Sequence, residues 1–557
     1  MNEITAETTG PPKGSGSLLL RRQINLIYVG LLVAMMLSSL DQMVFGTALP
    51  TIVGELAGVG QMLWVTTAYL LASTIMMPVY GKLGDLIGRR ILLISAISIF
   101  IAGSVVGGLA PDMLWLIVGR AIQGVGGGGL MILAQATVAD IVPPKDRGKY
   151  VGPMGAVFGL SAVAGPLLGG WFAEGIGWRW AFWINIPVGL IALATVAVFL
   201  RLPHRDYARP RLDTAGFVLM SIAVTCFVLF TSWGGNDYEW GSPVIIVLIG
   251  GAVLASVAFV LVERRAPEPL IPLFLFKERN FNLATGAGLI TLVVMFGAMG
   301  YLPTYLQIVH GVNVTTSGLL LLPMVIGMAG AGVGSGQVAS RTAHYKWMPL
   351  LGTLLIAVAM WLFSTLTVDT PIWVISVASG ILGIGIGLGF QILVLIVQNT
   401  FPLSAVGTAT AANNFFRQIG GTLGTAIVGS IFVARLTGQL TDRLPQAPRS
   451  TAGGVNMDEL SPNAVRNMPA QLREVITTSY NDAVAPSFLY LLPLLAIAFV
   501  LLLFITEKPL ETTLDYDTHR ATRHANETTP FEVSSTRTAA NTTTPGSTGH
   551  ITIKGTP

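Results

Sequence analysis

The sequence predicts an all-α integral membrane protein, and three observations predict it. Charged residues are only 11% of the 557 and hydrophobic ones 52%. A soluble domain carries about 25% charged residues, so most of this chain lies in lipid or against other helices. About fourteen apolar runs reach spanning length, roughly 20 residues each. The basic residues collect in alternate short connections between those runs. Period-two alternation is missing from the runs, which argues against transmembrane strands, and backbone groups in lipid are satisfied internally by helices.

The runs lie near 26–49, 62–81, 91–110, 114–138, 148–173, 179–200, 214–233, 243–262, 281–303, 315–337, 348–366, 372–396, 405–433 and 486–506. The first is too long for a cleavable signal peptide, and it contains one carboxylate, Asp41. A charge at membrane depth costs roughly 2.5–3.5 kcal/mol on insertion scales and usually faces a cavity. The other Asp and Glu residues, of 28 in all, fall in loops, tails or the last turn of a run. Asp41 is therefore the group able to respond to protons or cations, with Gln42 and Met43 beside it as candidate cavity residues.

An inside amino terminus places sixteen Lys and Arg in the short inward connections: Lys82, Arg89, Arg90, Lys145, Arg147, Lys149, Arg201, Arg205, Arg209, Arg211, Arg264, Arg265, Lys277, Arg279, Arg341 and Lys346. The short outward connections hold only Arg179. This bias sets orientation and accounts for the net charge of +4 without a nucleic-acid partner. Trp64, Trp115, Trp178, Trp240 and Trp373 fall near outer helix ends, as an interfacial belt does. Residues 434–484 are expected to form a long outward loop, and 507–557, rich in Thr, Ser and Asn, a disordered inward tail. The lone Cys226 excludes a disulfide framework.

Three glycine-rich patterns follow. Gly81-Lys-Leu-Gly-Asp-Leu-Ile-Gly-Arg-Arg90 packs glycines and charges into a tight inward turn, where Asp85 can face a helix amino terminus or a neighbouring arginine. Gly119-Arg-Ala-Ile-Gln-Gly-Val-Gly126 carries Arg120 and Gln123 in the fourth run. In the fifth, Gly148, Gly152, Gly155, Gly159, Ser161, Gly165 and Gly169 recur mostly every three or four residues, a small-residue face that brings helix backbones together; Pro166 adds a bend.

The first pattern resembles the signature between helices 2 and 3 of the major facilitator superfamily. There it acts as a conformational latch, which implies that role for Gly81, Asp85, Gly88, Arg89 and Arg90. The second resembles the family's arginine motif, implying proton coupling at Arg120. The third, Ser161-Ala-Val-Ala-Gly-Pro-Leu-Leu-Gly-Gly170, resembles the antiporter motif of exporters, with Gly165, Pro166, Gly169 and Gly170 in place and Ser161 where glycine is usual. Leu40–Pro50 and Trp178–Pro187 are similar to motifs of the fourteen-helix drug:proton antiporters of multidrug efflux type. The resemblance implies a major facilitator fold of two six-helix bundles plus two inserted central helices. It divides the chain into an inward tail (1–25), a first bundle (26–200), a linker with helices 7 and 8 (201–280), a second bundle (281–506) and the tail (507–557). Helices 1 and 4 are then neighbours, and at 1.5 Å per residue Asp41 and Arg120 lie about 12 and 9 Å below the outer surface, at similar depth. Gly336–Arg341 follows the start of the ninth run as Gly81 follows the first, with Ser340 in place of Asp85.

Gly124-Val-Gly-Gly-Gly-Gly129 fits the dinucleotide fingerprint but lacks the strand that must precede it. No phosphate loop is visible, so no nucleotide or other cofactor is expected, and the scattered histidines hold no metal. Asn413 with Arg417, and Asn414 with Gln418, are spaced i, i+4 on shared helix faces and are candidate cavity residues with Gln42, Met43 and Gln123. The sequence thus predicts a proton-coupled exporter, not an enzyme. Its expected partners are amphiphilic compounds, cationic ones among them, protons and membrane lipids, and it would work as a monomer in the cytoplasmic membrane with both termini inside. The alternative is a dedicated exporter of one endogenous metabolite, lipid, siderophore or self-made antibiotic. With Cys226 replaced by alanine and Ser450 by cysteine, an impermeant thiol reagent is expected to label intact cells from outside; labelling from the cytoplasmic side alone would overturn the fourteen-helix count.

Overall fold

The computed structural model describes residues 21–56, 58–200, 213–235, 237–443, 462–510 and 512. Expectations for the start of the chain, the 201–212 connection and most of the carboxy-terminal tail lie outside these residues. Among them are 14 helices long and apolar enough to span a membrane: α1 (Arg22–Leu56), α2 (Met62–Ile87), α3 (Arg89–Gly108), α4 (Met113–Ile141), α5 (Pro144–Trp171), α6 (Trp180–Phe199), α7 (Thr214–Trp233), α8 (Pro243–Glu263), α9 (Arg279–Val309), α10 (Thr316–Thr342), α11 (Trp347–Ser364), α12 (Ile372–Gln398), α13 (Val406–Arg443) and α14 (Ala470–Leu503). Short polar side chains start several of them: Asp112, Asp213 and Ser242 accept hydrogen bonds from Trp115 N, Gly216 N and Ile245 N, which satisfies amides left free at a helix start.

The packing repeats across the two halves. In the first bundle α5 and α6 lie on α1, and α2 and α3 lie on α4; in the second, α13 and α14 lie on α9, and α10 and α11 lie on α12. The bundles meet along two matching seams, α5 with α10 and α2 with α13. The inserted α7 and α8 pack on each other, with α7 against α2 and α13. On α8 the large side chains of Val247 and Leu254 are each 71% exposed, an apolar face suited to lipid.

Apolar burial does not hold helices together in lipid; close packing through small residues does. A Cβ at Gly148 would lie 2.5 Å from Gly336 O, and one at Gly152 2.5 Å from Gly332 O, so α5 and α10 touch backbone to backbone. Gly165 and Gly169 instead meet Met43 and Val44 of α1. At about 100° of rotation per residue, the expected single small-residue face is two. Residues 148–159 serve the seam between bundles, and 165–169 serve α1. The glycine run of α4 fits the same logic: Cβ atoms at Gly124 and Gly126 would lie 2.5 Å from Tyr69 O and Ala96 O, wedging α4 between α2 and α3.

Three expectations need correction. The first helix begins before residue 26 and runs through Pro50 to Leu56. The segment 434–484 is helical at both ends, because Leu436 and Leu440 on α13, and Leu472, Ile476, Tyr480 and Val484 on α14, form buried faces that the charges between them obscure in the sequence. Trp178 is not in an interfacial belt: it is 2% exposed and its indole donates to Glu55 Oε2 at 2.7 Å. Replacing Gly152 with leucine is expected to lower the melting temperature of the solubilised chain by several degrees, whereas alanine at Gly170, which has nothing within 4 Å, should leave it unchanged. Equal melting of both variants would refute the seam.

Candidate functional site

Asp41, near the middle of α1, is 1% exposed. Its Oδ2 accepts from Arg120 Nη1 of α4. Its Oδ1 accepts from Gln123 Nε2 at 3.1 Å and from Asn185 Nδ2 of α6 at 2.9 Å. Arg120, also 1% exposed, donates to Gln123 Oε1 at 2.9 Å and from Nε to Val65 O at 3.3 Å. Its guanidinium lies 4.2 Å from the Phe45 ring centre and 4.4 Å from that of Tyr69. Ser104 of α3 accepts from Gln123 at 2.8 Å. The structure thus brings the two sequence-singled charges together, ringed by donors that offset the cost of leaving water.

Sequence reasoning gave no role to Asn185, Ser104 or Tyr69. Asn185 lies in the Trp178–Pro187 stretch, where one amide among aromatic residues was the available signal.

The second constellation lies at the end of the bundles that carries the basic connections. Asp85 Oδ2 accepts from both the backbone N and the Oγ1 of Thr408, at 2.7 Å each. Thr408 sits in the first turn of α13, whose free amides and positive dipole end favour a carboxylate. Asp85 Oδ1 accepts from Arg89 Nη2 at 2.9 Å, and Arg89 Nε pairs with Asp140 Oδ2 of α4 at 2.6 Å. Asp85 therefore joins the first bundle to the second. Glycine permits the geometry: Gly88 turns the chain with φ +93°, a conformation side chains rarely adopt, and Gly81 sits against Ala411 and Gly407 O of α13. Arg90 plays a different part, donating to Ala197 O of α6 at 2.6 Å. Arg147 extends the bridge by donating to Gln398 O of α12 at 3.3 Å.

Between the bundles lies a narrow cavity of about 70 Å³. Gln42, Asn414, Arg417 and Gln418 line it, together with Ser38 and Ser39 of α1 and the rings of Phe158, Phe296 and Phe390. Met43, Gln123 and Asn413 do not. Met43 packs on Gly165, Gln123 belongs to the Asp41 network, and Asn413 donates to Thr285 Oγ1 of α9 at 3.0 Å. Spacing along a helix told which residues share a face but not what that face meets.

Two six-helix bundles around a central cavity, bridged at one end, define a membrane transporter. The sequence pattern of the Major Facilitator Superfamily matches residues 31–425, and the chain belongs to that superfamily. It is 39% identical to an MFS-type transporter of Mycobacterium tuberculosis (strain ATCC 25618 / H37Rv), over 91% of this chain and 73% of that protein. It is 37% identical to the multidrug transporter protein MdtP of Bacillus subtilis (strain 168), over 87% of this chain and 93% of MdtP. Among solved structures, the proton:xylose symporter XylE superposes with a TM-score of 0.56 at 15% identity, covering 88% of this chain and 98% of XylE, a likeness of fold.

Removing one partner of a buried ion pair strands the other, at a cost of about 3–5 kcal/mol. Arg120→Gln is therefore expected to melt well below the parent, and Asp41→Asn with Arg120→Gln to regain most of the loss. A double variant no more stable than Arg120→Gln would show that the pair is not coupled.

Proposed function

We propose that this chain is a proton-coupled exporter of amphiphilic compounds, including drugs and other toxic molecules. It works as a monomer in the cytoplasmic membrane, with both termini and the Gly81–Arg90 turn on the cytoplasmic side. The observation that carries this reading is the buried pair of Asp41 and Arg120: a fully buried carboxylate midway along a spanning helix, held by one arginine. Kinship with MdtP, named a multidrug transporter, supports the substrate class.

The bundles 26–200 and 281–506 rock about the central cavity, and the inserted helices of 201–280 ride on α2 and α13. In the bridged state Asp85 holds α13 through Thr408, which closes the cytoplasmic side. Within the Gly165-Pro166-Leu-Leu-Gly169-Gly170 stretch, Gly165 and Gly169 keep the outer half of α5 on α1 while its inner half, through Gly148 and Gly152, seals or releases α10. A proton taken up by Asp41 cancels the carboxylate charge. Arg120 then loses its counter-charge, and the amides of Gln123 and Asn185 lose an ionic acceptor. The packing of α1 against α4 and α6 shifts, and the seam to the second bundle opens. Release of the proton inward restores the pair and resets the transporter.

The test is substrate export by the full chain in proteoliposomes under an imposed pH gradient. Asp41→Asn keeps the shape but cannot titrate, so it is expected to abolish gradient-driven export while retaining part of substrate counterflow. Arg120→Lys, which lacks the planar fork, should also impair coupling. Full pH-driven export by Asp41→Asn would sink the mechanism.

A further inference from the structure

The buried arginines of the described residues are held by protein groups, with one exception facing the cavity. Among the described buried arginines, Arg89 holds Asp85 and Asp140, Arg120 holds Asp41, and Arg147 donates to the carbonyls of Ala139, Val142 and Gln398. Arg417, midway along α13, is 2% exposed, yet its Nε and Nη1 have no hydrogen-bond partner. Its guanidinium lies 3.7 Å from the centre of the Phe390 ring, and its stem packs so closely on Gly288 of α9 that a Cβ there would lie only 3.2 Å from it.

Arginine stays protonated in proteins, and a buried charge normally has a partner. The described residues supply none: the cavity is lined by Arg417 and by neutral serines, amides and apolar side chains, with no Asp or Glu among them. Asp41 is not available, because its oxygens are taken by Arg120, Gln123 and Asn185 and it does not line the cavity. A cationic substrate, the expectation drawn from Asp41, would therefore meet a like charge and no carboxylate.

We infer that the cavity selects amphiphiles bearing an anionic group, a carboxylate, sulfonate or phosphate, which docks on the Arg417 guanidinium while its apolar body lies against Phe158, Phe296 and Phe390. The guanidinium fork suits such groups because it offers two parallel donors to two oxygens. The aromatic wall supplies contact area that tolerates different bodies. The inference rests on the reading of this cavity as the transport site, and it assigns that site a charge preference that neither export direction nor proton coupling determines.

Equilibrium binding to the purified full chain tests the preference apart from transport. In phosphatidylcholine nanodiscs, naphthaleneacetate is expected to bind at least about tenfold more tightly than its uncharged amide, and naphthylethylammonium most weakly. Arg417→Gln should erase the acetate-over-amide preference while amide binding persists; Arg417→Lys, which keeps the charge, should retain part of it and serves where the glutamine variant misfolds. Repeating the titration with phosphatidylglycerol in the bilayer separates the two sources of anion: a lipid headgroup occupying Arg417 raises the apparent dissociation constant of naphthaleneacetate, and a soluble substrate site leaves it unchanged. Ammonium binding as tight as acetate overturns the inference, as does an unchanged acetate preference in Arg417→Gln or no saturable binding by any of a set of naphthyl, biphenyl and acyl carboxylates. Gradient-driven export of a bound anion is measured separately, so a failed export reading and a failed charge preference give different results.

Discussion

A charge that leaves water needs an opposite charge and enough donors to replace its hydration, and the first bundle is arranged around meeting that need at Asp41. One carboxylate on α1 engages α4 through Arg120 and Gln123 and α6 through Asn185, and Ser104 brings in α3. Arg120 also donates to Val65 O of α2, so five of the six helices in that bundle contribute to one polar cluster. Lipid between helices gives no hydrophobic reward for association, so a cluster of this kind decides which helices stay together and which arrangement they share.

The complement to that cluster is the scarcity of large side chains where the bundles meet. On α5 the two small-residue faces do different work. Gly165 and Gly169 seat the outer half on Met43 and Val44, while Gly148 and Gly152 bring the inner half onto α10. The matching seam, α2 with α13, carries Gly81 against Ala411 and Gly407 O. Backbone contact of this kind is tight but holds few interdigitating side chains, so it can part along its length without unpacking a core. The charged bridge from Asp85 to Thr408 then supplies at the rim the specificity that the glycine seams lack.

The number of spans was readable because each is a long apolar run with few charges, and Asp41 was readable because it breaks that pattern. What the sequence concealed is what each helix face meets. Asn185 is a single amide in an aromatic stretch, and only the fold shows it reaching Asp41 Oδ1 from 144 residues away. Thr408 is one threonine among many, and its part is shared between its hydroxyl, a backbone amide and the dipole of the helix whose first turn it occupies. Gln123 and Met43 were expected at the cavity, yet Gln123 joins the Asp41 network and Met43 packs on Gly165, and helical spacing alone cannot separate those outcomes. The helical ends of 434–484 were hidden for a related reason: their apolar residues fall on one face, with charges and polar groups on the others.

The structure treats its two arginines at membrane depth oppositely, and α13 makes the difference consequential. Arg120 is saturated by its own bundle; Arg417 faces the cavity with donors unspent. Arg417 lies nine residues beyond Thr408 on α13, about 13.5 Å along the axis, on one continuous helix from Val406 to Arg443. That helix therefore carries both the cavity's unpaired charge and the first turn that Asp85 holds. A ligand that draws Arg417 toward itself acts on a rigid rod whose other end is the latch. On the proposed mechanism, substrate and proton act on opposite sides of one seam, the proton through α1 and α4 of the first bundle and the substrate through α13 of the second. Neither has to touch the other to influence whether the seam is closed.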